Sequence, residues 1–243
     1  MTNVATKPAP VTEEDIEHLP EPARRYLGFT RVLGRPADGS FDATVRGHFR
    51  LRPDQNWLTC TTWQHNDATT LSRDFRMRLM LAHLIPVQAS DVYAHGHGHM
   101  RATALGMFTL ADGQGPEFDA GELVTLLNDA VLLAPSMLLR MPVHWTPVDE
   151  RTFGLALTDH NTTVTAHVTV DDRGAPVEFS TEDRWAALPT GLVRARWSTP
   201  VDGWCLVAER IRPRRATAVW HLPDGPFTYA QFDLTRADIT FGP

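Results

Sequence analysis

Hydrophobicity that repeats every second residue dominates this chain, and a single interruption near the middle constrains what it can fold into. Across residues 41–51 the odd positions are Phe41, Ala43, Val45, Gly47, Phe49 and Leu51, while the even ones are mostly polar or charged. Successive side chains of a strand point to opposite faces, so this is a strand with one buried face. The turn "RPDQNW" leads to a second strand in which Trp57, Trp63 and His65 share a face. "RDFRMRLM" follows, with Phe75, Met77 and Leu79 opposed to Asp74, Arg76 and Arg78, and "DVYAHGHGHMRATALGMFTL" reads as one further hairpin. After Trp145 the two-residue period returns: 153–159 and 164–170 flank the turn "DHN", "VEFSTEDRW" opens at Val177, and 194–199, 204–212, 216–222 and 227–241 supply the rest.

Between these blocks the period changes. Residues 118–133 carry Glu122, Thr125 and Asp129 along a narrow polar stripe with apolar residues elsewhere, a helical signature. Pro135 breaks that helix and opens a second short one through Met141. Another helix start is read at Thr12, its hydroxyl as cap and Glu13, Glu14 and Asp15 at the positive end, interrupted near Pro20 and Pro22 and ending about Leu27. Strands, a helical insert, then more strands, with no βαβ rhythm, predict an antiparallel sheet of roughly nine to eleven strands. A sheet that size curls, and its inner face needs cover. The expected fold is mainly β with a helical insert at about 118–141. In this α+β arrangement the central helices cover a large curled sheet or open β-barrel, with a hydrophobic hollow between. Residues 1–11 are read as a disordered tail and 12–243 as one domain.

The charge balance, 29 acidic against 23 basic residues, gives no positive field for nucleic acid, so that partner is not expected. The opening "MTNVATKPAPVTEED" lacks the apolar region of a secretory signal, and the most apolar helical stretch, 123–139, contains Asn128, Asp129 and Pro135. No membrane insertion and a cytoplasmic location are the corresponding expectations. Cys60 and Cys205 each lie in a strand-like run and read as small buried hydrophobes.

"HGHGHM" places His95, His97 and His99 on one strand face about 7 Å apart per step, so the first and third cannot share a metal ion. Its glycines point to a hairpin tip at His95–Gly96, and no metal or cofactor is expected. Nucleophile-elbow, phosphate-loop and dinucleotide motifs are absent from the sequence. What remains is a hollow with aromatic walls. Trp63, Phe75, Met77 and Phe179 are expected to line it and bind a ligand, together with Trp185, Trp197 and Trp220.

In "VEFSTEDRW" alternation directs Val177, Phe179, Thr181, Asp183 and Trp185 inward and leaves Glu178, Ser180, Glu182 and Arg184 to solvent. A buried carboxylate is costly unless paired or neutral, so Asp183 either pairs with Arg194 or Arg196 or keeps a raised pKa suited to acid–base work. His144, beside Trp145, falls at the rim of the expected cavity, and Asn128 lies just off the helix's polar stripe where it can orient a ligand. Asp183, His144 and Asn128 are the catalytic candidates, while Asp129 continues the stripe and reads as a solvent-facing acid.

Taken together, "LPEPARRYL", "LLNDAVLLAPSMLL", "VHWTPVDERTF", "VTVDDRGAPVEFSTEDRW" and "VWHLPDGPFTYAQF" resemble an uncharacterised bacterial family, a domain of unknown function, over residues 19–241. The order of elements is similar to the lipoprotein-carrier type of fold, which implies an open barrel lidded by helices around a lipophilic cavity. The family pattern Asp-Gly-x-Gly-x-Met stands where this chain has "HGHGHM": Gly96, Gly98 and Met100 match, the histidines depart, and the turn reading gains support. The family offers no catalytic residues to carry over. The functional expectation is a protein that binds a lipophilic small molecule and acts as a cofactor-independent cyclase or isomerase of a polyketide-like intermediate; the alternative is a non-catalytic carrier of a lipid or hydrophobic ligand. A converging inner polar set marks the enzyme, and a nearly all-apolar lining marks the carrier.

Overall fold

The computed structural model describes residues 9–81, 84–188, 191–207 and 209–243. After helix α1 (Glu21–Phe29) come six strands in succession: β1 (Ser40–Phe49), β2 (Leu58–Asp67), β3 (Ser72–Leu81), β4 (Ile85–Ala94), β5 (His97–Ala104) and β6 (Phe108–Gln114). Helix α2 (Pro116–Leu133) and a short 3-10 turn (Pro135–Leu139) form the helical insert. Then follow β7 (Val143–Pro147), β8 (Thr152–Asp159), β9 (Thr162–Val170), β10 (Pro176–Thr181), the small hairpin β11 (Trp185–Leu188) and β12 (Gly191–Arg194), β13 (Trp197–Val207), β14 (Arg210–Leu222) and β15 (Gly225–Gly242).

Thirteen of these strands make one antiparallel sheet in the order β6-β5-β4-β3-β2-β1-β15-β14-β13-β10-β9-β8-β7. The pairing of β1 with the 18-residue β15 joins the strands before the helical insert to those after it. The main sheet exceeds the expected nine to eleven strands partly because "DVYAHGHGHMRATALGMFTL" holds two turns. One is at His95–Gly96, as read; the other is at Leu105–Gly106, where both residues have positive φ (53° and 72°). Leucine is a poor marker of such a turn, which hid it in the alternation. The first helix also differs from expectation: α1 starts at Glu21 with Pro20 as its N-cap residue and Pro22 in the first turn. The prolines begin the helix instead of interrupting it, since an early position needs no amide hydrogen. Thr12 donates from its amide and hydroxyl to Asp15 in a separate turn. The disordered-tail reading of residues 1–8 lies outside the described residues, but Val11 is buried and its amide donates to the Arg35 carbonyl.

Helix α2 is buried on every side from Ala120 to Leu133. It covers the sheet as expected, but packs directly on it, so that its own side chains stand where a hollow was expected. Leu123, Leu126 and Leu127 of α2 share the main core with Phe41, Phe153 and Phe179, and the Tyr26 hydroxyl of α1 donates to the Val131 carbonyl at 2.8 Å. Two glycines let α2 in this close. A Cβ on Gly98 would fall 2.1 Å from the Phe118 carbonyl oxygen, and one on Gly113 would fall 2.2 Å from the Phe118 ring.

Candidate ligand-binding site

The polar stripe of α2 faces the sheet, not solvent. Glu122 and Asp129 meet Arg73 of β3, whose Nη1 lies 3.0 Å from Glu122 and whose Nε lies 2.8 Å from Asp129. Gln64 and Asn66 on the inner face of β2 also donate to Asp129, at 3.2 and 3.4 Å. Asp91 of β4 and Arg184, just beyond β10, complete the set as charges felt by Glu122. Three carboxylates thus share two guanidiniums. Desolvation, with the charges of Asp91 and Asp129, pushes Glu122 up to about 7 despite its cationic neighbours. Burial likewise raises Asp91 against the pull of Arg73 and Arg184. For Arg73, burial works against the charge, but Asp129, Glu122 and Asp91 outweigh it and hold the guanidinium charged.

The alternation in "VEFSTEDRW" fails at both ends. A register shift between Pro176 and Glu178 turns Val177 out, where it is exposed, while Phe179 and Thr181 stay inward as read. The strand then ends at Thr181, and the next residues exchange roles. Asp183 accepts hydrogen bonds from the Thr165 amide and hydroxyl, both 2.8 Å, and from Arg194 at 2.6 Å. This is the ion-paired alternative with Arg194. Arg184, read as solvated, is the side chain that turns in: its guanidinium carbon sits 4.5 Å from the Trp197 ring centre and 5.4 Å from that of Trp220. Its Nε lies beside Gly121 of α2, 3.9 Å from where a Cβ would stand.

The three catalytic candidates do not converge. Asn128 is buried and accepts a hydrogen bond from the Thr199 hydroxyl of β13, tying α2 to that strand. His144 is exposed on β7, and Asp183 is held by Thr165 and Arg194. The inner polar group that does converge, Glu122, Asp91, Asp129, Arg73 and Arg184, escapes a reading of the sequence because its members are spread over α2, β3, β4 and the segment after β10. The acidic helix stripe was its visible trace.

The expected lining divides in four. Phe179 and Trp197 are sealed in the main core with rings 6.2 Å apart. Trp185 and Trp220 are half-buried near Arg184, with Trp220 stacked on Tyr229. Trp63 is the correction: it lies on the outer face of β2, 38% exposed beside Arg76. The inner face of β2 carries Cys60, Thr62, Gln64 and Asn66 instead. Phe75 and Met77 belong to a second apolar cluster, built with Cys60, Leu79, Val87 and Ala104 and edged by half-buried Phe49, Leu58 and Phe232. Among the described residues every member of this cluster comes from the sheet, and α2 contributes none.

His97 and His99 approach different aspartates, Asp119 at 3.8 Å and Asp112 at 2.7 Å. Among the described residues no group of three or more His, Cys, Asp or Glu side chains is arranged to hold a metal ion, and no helix is long and apolar enough to cross a membrane.

A family described as "Family of unknown function (DUF6544)" matches residues 9–232. The chain belongs to that family. Among curated proteins none matches the sequence. Solved structures similar to this member of the family include a LolA superfamily protein from Nitrosomonas europaea, 12% identical, with TM-score 0.44 over 91% of this chain and 94% of that one. Another is a domain assigned provisionally to outer membrane lipoprotein sorting in Vibrio parahaemolyticus, 11% identical, with TM-score 0.47 over 95% and 92% of the two chains. A DUF1329 family protein from Desulfovibrio piger is 8% identical, with TM-score 0.43 over 90% and 91%.

Proposed function

We propose that the chain is a non-catalytic carrier that binds a lipophilic small molecule on the part of its concave face left free by α2. The observation that carries this reading is the second apolar cluster, to which Met77, Leu79, Val87 and Ala104 belong and whose apolar members all come from strands. An inner sheet face normally needs a second layer, and a ligand chain laid along β2–β5 supplies one. Each methylene it removes from water contributes about 0.8 kcal/mol. A solvatochromic fatty-acid probe tests the reading. Binding that is lost in Leu79→Asp, with α2 and its helical signal intact, supports it; a probe that binds Leu79→Asp as tightly as the parent chain refutes it.

A second reading, cofactor-free cyclisation or isomerisation, draws on one observation: Glu122 is raised to about 7, where a carboxyl group can both give and take a proton. Against it, the Glu122 side chain is only 5% exposed and is held by Arg73. The charged group serves better as a tie between α2 and the sheet. Turnover by the parent chain that Glu122→Gln abolishes, with probe affinity retained, would reverse that preference.

A further inference from the structure

Hairpins β3–β4 and β5–β6 end at the same edge of the sheet, and their tips carry large apolar side chains in water. Leu84 is 81% exposed and Met107 74%, with Met80, Ile85, Leu105 and Phe108 also exposed around them. The register sets these tips side by side: Met80 pairs with Pro86, and the Leu105 amide donates to the Pro86 carbonyl at 2.9 Å. Isolated apolar residues on a surface need no explanation, but a contiguous set does. Leu105 adds an independent sign. It holds a left-handed φ of 53° at a turn position that asparagine, aspartate or glycine takes at lower cost, and its side chain is 51% exposed.

Behind the apolar tips lies a tier of positive charge. One two-residue step back from Met80, about 7 Å along the strand, is Arg78; the next step brings Arg76, which pairs with Ser90, itself paired with Arg101. These three arginines wall a groove of about 340 Å³ on the outer face, together with Gln88, Ser90 and Thr103. Arg76 is bonded to Asp74 at 2.8 Å and Arg101 lies 3.9 Å from Asp112, while Arg78 has no carboxylate within 4.0 Å among the described residues. In a chain of net charge -6 this concentration of guanidinium is local.

From this layering we propose that the edge formed by the β3–β4 and β5–β6 tips docks onto an anionic phospholipid surface. The apolar tips enter the boundary between headgroups and acyl chains, and Arg78, with Arg76 and Arg101 behind it, meets the phosphates. Apolar side chains backed by arginines at headgroup depth match the order of layers in a membrane interface. Leu79, Val87 and Ala104, on the inner side of the same strands, form a buried apolar cluster behind the tips. Docking goes beyond the carrier reading and stands without it, because it is measured on vesicles whether or not the trough is filled.

Flotation with phosphatidylcholine vesicles, with and without a minority of phosphatidylglycerol, tests the proposal. At roughly 1 kcal/mol per arginine near the surface, the anionic vesicles should retain at least about tenfold more protein, an excess that falls in high salt. The double variant Leu105→Asp, Met107→Asp should lose attachment to both vesicles, and Arg78→Glu with Arg101→Glu should lose the anionic excess alone. Met107→Trp, which leaves the charges untouched, should shift its fluorescence to shorter wavelength when anionic vesicles are added. Circular dichroism confirms that each variant is folded. No retention by anionic vesicles overturns the proposal, as does retention unchanged by the Leu105, Met107 pair. Self-association that this pair abolishes, without vesicle binding, also overturns it and assigns the edge to a second copy of the chain.

Discussion

The two halves of the concave face are built from one sheet and finished differently. Where α2 lies, Leu123, Leu126, Phe153 and Phe179 are wholly buried, and the inward charges have partners. Beyond α2, Met77, Leu79, Val87 and Ala104 keep 7–9% of their surface, and Phe49, Phe75 and Phe232 around them are half-buried. The difference lies in the second layer: one half takes it from α2, and the other is packed by strand residues alone.

Arg73→Ala should separate the halves most sharply. It strands Glu122 and Asp129 without their guanidinium, and breaking a buried pair in this way costs about 3–5 kcal/mol. Chemical denaturation should show that loss. Leu127→Ala, which removes a fully buried α2 side chain, should cost about 3 kcal/mol and lower the melting temperature by roughly 6–12 °C for a chain this size. A smaller effect is expected from pH. Glu122 binds its proton more tightly in the folded chain than in the unfolded one. Its carboxyl therefore costs nothing below about 4.5, lowers stability progressively up to about 7, and adds no further loss above that. Melting temperature should accordingly fall between pH 5 and 7.5, and Glu122→Gln should flatten the slope. Asp91, raised by burial in the same direction, keeps some slope in that variant. The smallest stability change belongs to the half packed by strands alone: Leu79→Ala should cost only about 1–2 kcal/mol, below the usual range for a sealed leucine, while weakening the fatty-acid probe clearly. A Leu79→Ala loss equal to that of Leu127→Ala would erase the distinction between the halves.

Much of the fold was legible because one physical rule, a buried face every second residue, governs β1 and β9 throughout and most of β3 and β8. It misled where that rule has competitors. Trp63 looked inward because it is aromatic. The inner face of β2 instead carries Thr62, Gln64 and Asn66, and two of these answer Asp129, a requirement set by a helix sixty residues away in sequence. Asp183 looked inward because the alternation was carried past the end of β10, where no ladder enforces it and Arg184 turns in. The charged group itself joins β2, β3, β4, α2 and the segment after β10, so no local pattern could reveal it. The apolar hairpin tips were visible as letters, but only the register of β3 to β6 shows that they form one edge.

Cys60 gives the second cluster a consequence of its own. The thiol lies among the apolar side chains of the second cluster, where burial pushes its pKa up to about 11, so almost none of it is thiolate at neutral pH. Cys205, on β13, is only half-buried. A thiol reagent should therefore modify Cys205 first and reach Cys60 only as fast as the strands around it part. The chain thus carries a chemical clock for the breathing of its own trough, one that a bound guest would slow and an empty groove would let run.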